Sequence, residues 1–239
     1  MRKIGLFLIL ICFSAVFPIG AQVKSDDTDI MVARHARNRA DVPELQRIAA
    51  KIKKEAESKN TLAAYLRLAL IQTWLCEAIE SHNDDALFKK AAEDGVAAAE
   101  KAVALGPRSS EAHQLLGDLI NQLIPHVNGG GMRYGQRAND EMDRAIELDP
   151  KNAEAYVSRA ISYYYTPESF GGGKAKAFEM LNKAVELGTA GDSPHIWLAM
   201  FYLDGGKKKE AMDEIQAARK LEPERAFTNY LFAQIKNSK

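Results

Sequence analysis

Ala102-Val-Ala-Leu-Gly-Pro107, Ala145-Ile-Glu-Leu-Asp-Pro150, Ala184-Val-Glu-Leu-Gly188 and Ala218-Arg-Lys-Leu-Glu-Pro223 are four copies of one phrase, Ala-x-x-Leu followed by a chain breaker. Their alanines stand 43, 39 and 34 residues apart. A period in this range predicts a stack of helical hairpins, each too small to bury its apolar face without a neighbour. The last copy shows the whole unit. Ser193 is placed to cap a helix, with Pro194 at the first helical position where no backbone donor is lost. His195, Leu198, Ala199 and Tyr202 follow at i, i+3, i+4 and i+7, and Asp204-Gly-Gly206 breaks the chain. Ala211, Ile215, Ala218 and Leu221 form a second face, which Pro223 ends.

Laid out this way, the unit resembles the tetratricopeptide repeat. That family runs through a large residue, a Leu-Gly/Ala pair, a Tyr, an Ala, a bulky residue, a second Ala and a Pro. Here the last unit offers His195, Leu198-Ala199, Tyr202, Ala211, Ile215, Ala218 and Pro223. The one before offers Tyr156, Arg159-Ala160, Tyr163, Ala177, Leu181 and Ala184, with Thr189 in place of the Pro. An earlier one offers His113, Leu116-Gly117, Ile120, Ala138, Met142, Ala145 and Pro150. A weaker unit ends in Gly95, Ala99, Ala102 and Pro107. The resemblance covers about 60–223, in units of about 60–107, 108–150, 151–189 and 190–223. It implies an all-α, right-handed superhelical solenoid of antiparallel helix pairs.

The spacing inside the hairpins is uneven. Gly117 to Ala138 is 21 residues and Ala160 to Ala177 is 17, against 12 from Ala199 to Ala211, so 9 and 5 extra residues fall between paired helices. Both insertions read P-x-x-x-G-G-G, at Pro125–Gly131 and Pro167–Gly173, and equivalent turns of a solenoid belong on one edge. In this the chain is similar to exported bacterial members of the family with Gly-rich loops inside the hairpin.

Outside the repeats, Arg2 and Lys3 precede an apolar run from Ile4 to Phe17 and then Pro18-Ile-Gly-Ala21, which reads as a signal peptide over 1–21. The 14-residue run falls short of the roughly 20 needed to span a bilayer. No stable span is therefore expected after its removal, and the chain is expected in the periplasm of a bacterium or secreted. Residues 22–59 keep helical periodicity through Leu45, Ile48, Ala49 and Ile52 after Asp41-Val-Pro43, a degenerate repeat capping the stack. Residues 224–239 read as a closing helix.

Composition excludes several functions. The whole chain has 32 basic and 32 acidic residues, leaving no net charge to attract nucleic acid. Past the leader only Cys76 remains, so an intrachain disulfide is excluded, and its apolar setting reads as a buried small residue. The five histidines have no metal-ligand spacing, so no metal or cofactor is expected. His113 and His195 share one packing position, which makes them wedges between helices. Phe170-Gly-Gly-Gly-Lys174 departs from the phosphate-loop pattern at two positions. Backbone anion binding assisted by Lys174 and Arg133 competes there with a plain turn. No catalytic constellation stands out, and the chain is not read as an enzyme.

The resemblance places the first helix of each hairpin on a concave inner face. Counting from the packing residue gives Gln114, Asp118, Asn121 and Gln122 in one unit. The next gives Val157, Ile161, Tyr164 and Tyr165, and the last Ile196, Met200 and Leu203. The expected partner contacts are Gln114, Asp118, Val157, Ile161, Tyr164, Tyr165, Ile196 and Met200, in a groove that turns from polar to apolar. The Lys that carboxylate-clamping repeats use is missing from these positions. An amphipathic helix or peptide of another protein suits such a face, and so does a small apolar molecule. Cover by the closing helix, around Tyr230, Leu231 and Phe232, or by a second copy in a homo-oligomer stays open. The reading is a non-enzymatic scaffold for protein interaction. The alternative is a solute-handling accessory protein of a transporter that encloses a small apolar ligand.

Overall fold

Asp27, Asp41, Asp84, Ser109 and Asn152 each turn a side-chain oxygen onto a backbone N–H two or three residues ahead, and each opens a helix. These are the orphan donors that every helix start must satisfy. In the computed structural model, which describes residues 27–238 apart from 81, 83, 189 and 190, the helices so capped are α1 (Thr28–Asn38), α2 (Val42–Lys59), α4 (Asp85–Leu105), α5 (Ser110–Leu123) and α7 (Ala153–Tyr165). The others are α3 (Leu62–Glu80), α6 (Gly130–Leu148), α8 (Lys174–Leu187), α9 (Ser193–Asp204), α10 (Lys208–Leu221) and α11 (Ala226–Asn237). No strand occurs among the described residues. The leader read over 1–21, like Thr189, lies outside them.

Neighbouring helices pack as hairpins, α3 on α4, α5 on α6, α7 on α8 and α9 on α10, and each hairpin packs on the next. The small residues of the repeat sit where the helices cross. Ala99, Ala138, Ala160, Ala177, Ala184, Ala199, Ala211 and Ala218 are all 0% exposed. At Gly117 even a methyl group would lie 2.7 Å from Met142 Cγ. Close approach of two backbones leaves no room for bulk there. α1 and α2 occupy the stretch before the repeats, and their buried Ile30, Leu45, Ile48 and Ile52 seal its end. α3 is long and apolar enough to cross a membrane, but it is the central core helix, packed against α1, α2, α4 and α5.

Three expectations need correction. Ser193 is the first residue of α9 rather than its cap; Asp192 holds the cap position, and its carboxylate is drawn to Arg225 and Thr228 instead. The nine-residue insertion is not all loop. α6 begins eight residues before Ala138, whereas α10 begins three before Ala211, so five of the extra residues lengthen the helix. The Gly-Gly-Gly stretches also differ. Gly130 and Gly131 lie in the first turn of α6, while Gly171–Gly173 form the turn before α8. There, a Cβ on Gly172 would stand 2.0 Å from the Thr166 carbonyl oxygen, and the Gly172 and Gly173 N–H groups already donate to Pro167 and Tyr163. Tight reversal explains those glycines, and their donors are not offered to an anion.

The apolar core comes in sections: one spans α1 to α6, a second α7 to α9, a third α9 to α11. Between the first two runs a polar seam. Arg159, 8% exposed, donates to Asp143 Oδ1 at 2.7 Å and to Asn139 Oδ1 at 2.6 Å, and lies 4.0 Å over the Tyr163 ring. Asn152 donates to Ser110 Oγ at 2.8 Å across the same boundary.

The first and last described helices meet. Arg225, in the turn before α11, forks onto Glu77 of α3 at 2.9 and 2.7 Å and also donates to Asp192. Asn38 at the end of α1 donates to Glu222 at 3.3 Å. Burial acts to lower the Arg225 pKa, but Glu77 and Asp192 more than offset it and hold the group above the ordinary guanidinium value. The two contacts, 148 and 184 residues apart in sequence, close the solenoid around its inner face.

Candidate functional site

The inner helices α3, α5, α7, α9 and α11 surround a cavity of about 520 Å³, within the roughly 300–1,000 Å³ of ligand-sized sites. Of the eight residues read as partner contacts, seven line it: Gln114, Asp118, Val157, Ile161, Tyr165, Ile196 and Met200. Gln114, Val157 and Ile196 are buried and form its floor, whereas Tyr165 is 67% exposed at its mouth. Tyr164 is the exception. Its ring stacks on Phe201 with centroids 3.6 Å apart, and its hydroxyl donates to Asp204. The two tyrosines leave the helix in different directions, and Tyr164 is spent joining α7 to α9. Lys174 supports it there, donating to Asp204 at 2.7 Å with its ammonium 5.0 Å from the Tyr164 ring.

The lining has an apolar part, Ile161, Ile196, Trp197, Met200 and Phe227, and an acidic part that includes Glu80, Asp118 and Glu154. Asp118 accepts from Gln122 Nε2 at 3.2 Å and Ser158 Oγ at 3.4 Å, both neutral donors. Burial first, and then the charge of Glu154, push its pKa up to about 7. Glu80 is likewise raised, by burial and then by Glu77. At the rim, His126 of the first insertion stacks on Phe88 with centroids 4.3 Å apart, so that loop reaches back to α4.

The closing helix does not fill this space. Leu231 is buried against Ile196 and Ile215 in the terminal core, Tyr230 is 61% exposed, and Phe232 lies under the Arg219 guanidinium. What α11 and its leading turn give the cavity is Phe227 and Arg225. Trp197, Glu80, Glu154 and Phe227 escape a count of inward positions taken only from α5, α7 and α9. Glu154 lies two residues before the packing Tyr156, and Glu80 ends the atypically long α3.

The two histidines at the packing position bond within their hairpins, His113 Nδ1 to Glu141 at 2.5 Å and His195 Nδ1 to Glu214 at 2.7 Å. Cys76 is wholly buried, and burial pushes its thiol far from ionisation, which suits packing and not reactivity. Among the described residues no group of three His, Cys, Asp or Glu side chains is placed to hold a metal ion.

No protein-family model matches the sequence, and no curated protein sequence matches it. Solved structures do match. A tetratricopeptide-repeat protein of Thermus thermophilus, TTC0263, superposes with a TM-score of 0.62 at 16% identity, over 87% of this chain and 98% of that one. The HusA haemophore of Porphyromonas gingivalis superposes at 0.49 and 20% identity, over 87% and 95%. YrrB, a repeat protein with an unusual peptide-binding site, superposes at 0.43 and 16% identity, over 88% and 91%. The first shows the fold: this is an all-α solenoid of tetratricopeptide type.

Proposed function

We propose that this chain is an exported, non-enzymatic scaffold that holds a segment of another protein in its inner groove, in the periplasm or outside the cell. The observation that carries the reading is the cavity itself. Helices α7, α9 and α11 turn apolar and aromatic side chains, and α5 polar ones, into one space that the protein's own closing helix leaves open. Apolar surface left uncovered in this way is stabilised by a partner's burial. Replacing both Ile161 and Met200 with Asp, in a cell that exports the chain, should abolish recovery of a defined partner while leaving the helical circular dichroism unchanged. Recovery of the same partner at the same yield would exclude this groove. Export is read from the leader over 1–21, and fractionation of the same cells tests it directly.

The closure of the groove favours one other reading. A space of about 520 Å³ with its rim tied by Arg225, Glu77 and Asp192 also suits enclosure of a small apolar solute for a transporter. Native mass spectrometry separates the two. A retained small mass that Met200→Asp releases supports the solute, and a bare chain that binds a protein partner supports the scaffold.

A further inference from the structure

We propose that the segment held in the groove is a short peptide stretch carrying a lysine or arginine beside a bulky apolar residue. The inference rests on the groove being the site of capture, and it specifies what is captured. Three observations converge on it.

The first is the charge of the lining. Glu80, Asp84, Asp85, Asp118 and Glu154 all border the cavity. Arg225 is the only guanidinium or ammonium group among the described lining residues, and Glu77 and Asp192 engage it. Glu80, Asp84 and Asp85 are exposed, with His126 beside Asp85 at 3.8 Å, whereas Asp118 and Glu154 are partly buried and focus a negative field into the cavity, which draws cations in and turns anions away.

The second is the state of Asp118. Its carboxylate is bound by neutral donors, Ser158 and Gln122, and no Lys or Arg side chain pairs with it among the described residues. Gln122 Oε1 beside it is buried without a hydrogen-bond partner. A carboxylate raised by burial is short of positive charge, and an ammonium or guanidinium placed in the cavity supplies the charge and also donates to the idle amide oxygen.

The third is the apolar part of the lining. Ile161, Trp197 and Met200 border the same cavity as the acids. A lone metal ion or a polar amine would leave that part wet. A basic side chain, with its methylene stem and an apolar neighbour, meets both kinds of lining at once. The volume admits a few residues and not a long helix, so recognition is of a short stretch.

Random heptapeptides displayed on phage and selected on the full purified chain test the proposal. The expected result is enrichment of sequences with Lys or Arg next to Leu, Met, Phe or Trp. Binding of the best of them should weaken about tenfold to a hundredfold in the double variant Asp118→Asn, Glu154→Gln, the worth of a charge-assisted hydrogen bond. It should be unchanged in Lys209→Gln on the outer surface. Enrichment of neutral or acidic peptides, or basic ones indifferent to the double variant, would overturn the proposal while leaving the groove as the capture site. Peptides insensitive to Met200→Asp, or no enrichment at all, would instead remove the groove reading on which it rests. Phenethylamine bound as tightly as the peptides would assign the site to a free amine and overturn the peptide. A thermal melt of the double variant guards against misreading an unfolded protein.

Discussion

The carboxyl of Asp118 titrates at about 7 in the folded chain against an ordinary value of 3.8, because burial and then the charge of Glu154 disfavour its ionised form. Between those two pH values the folded state binds the proton that the unfolded state has released, so stability falls as pH rises through the interval and stays lower above it. Asp118→Asn removes that penalty. Urea unfolding at pH 8 should show a gain on the order of a few kcal/mol, and at pH 3, where both states are protonated, almost none. A loss of stability at pH 8 would contradict the burial argument. His113 tilts the same way for the opposite reason: Glu141 raises it above 6.5, so its contribution is complete below that value and disappears as pH climbs through the raised one.

At the scale of the helix pair, the boundary between α6 and α7 is the informative element. Arg159 occupies the position where the other units place Leu116 and Leu198, and it joins the hairpins by hydrogen bonds to Asp143 and Asn139 in place of apolar packing. Arg159→Ala should cost about 1–3 kcal/mol, because packing and charge-assisted bonds go together while the half-exposed Asp143 falls back on water. Arg159→Leu should come within about 1 kcal/mol of the original chain, since a buried ion pair is often matched by an apolar side chain of similar volume. Chemical denaturation of the two variants checks the pair of values. Equal losses would mean that the bonds outweigh the packing.

Hairpins of this kind were legible in the sequence because a helix crossing leaves its mark locally: Ala160 and Ala177, or Ala199 and Ala211, are required by contacts within one unit. The same local logic placed nine residues on the cavity, Asn121 and Gln122 among them. It failed at Leu203, which packs in the terminal core, and at Tyr164, because positions eight and nine after Tyr156 differ by about 100° around the helix, and only the pairing with Phe201 and Asp204 decides which points inward. It also missed Glu80, since α3 is apolar almost all round and gives no face from which to count.

Over the whole molecule, the decisive contacts were invisible in the sequence because they join residues with no periodic relation. Arg225 meets Glu77 across 148 positions, and Glu222 meets Asn38 across 184. A repeat stack is stabilised chiefly by nearest neighbours, so a tie between first and last units sets the size of the groove more than the stability of the middle. Arg225→Ala should cost about 3–5 kcal/mol locally, since it leaves the buried Asp192 carboxylate without its cation. Hydrogen exchange should accelerate in α11 and α1, with α5 and α6 as protected as before. Uniform acceleration along the chain would mean that the tie holds the whole fold and not its closure.

The most direct test of the binding groove is a photo-crosslinking amino acid at Tyr165, on the mouth of the cavity, in the cell that exports the chain, with Lys209 on the exposed face of α10 as control. A discrete protein adduct from position 165 and none from 209 is the predicted result. No adduct at 165, or only adducts between copies of this chain, would contradict the scaffold reading and leave the closed groove to a small solute or to self-assembly.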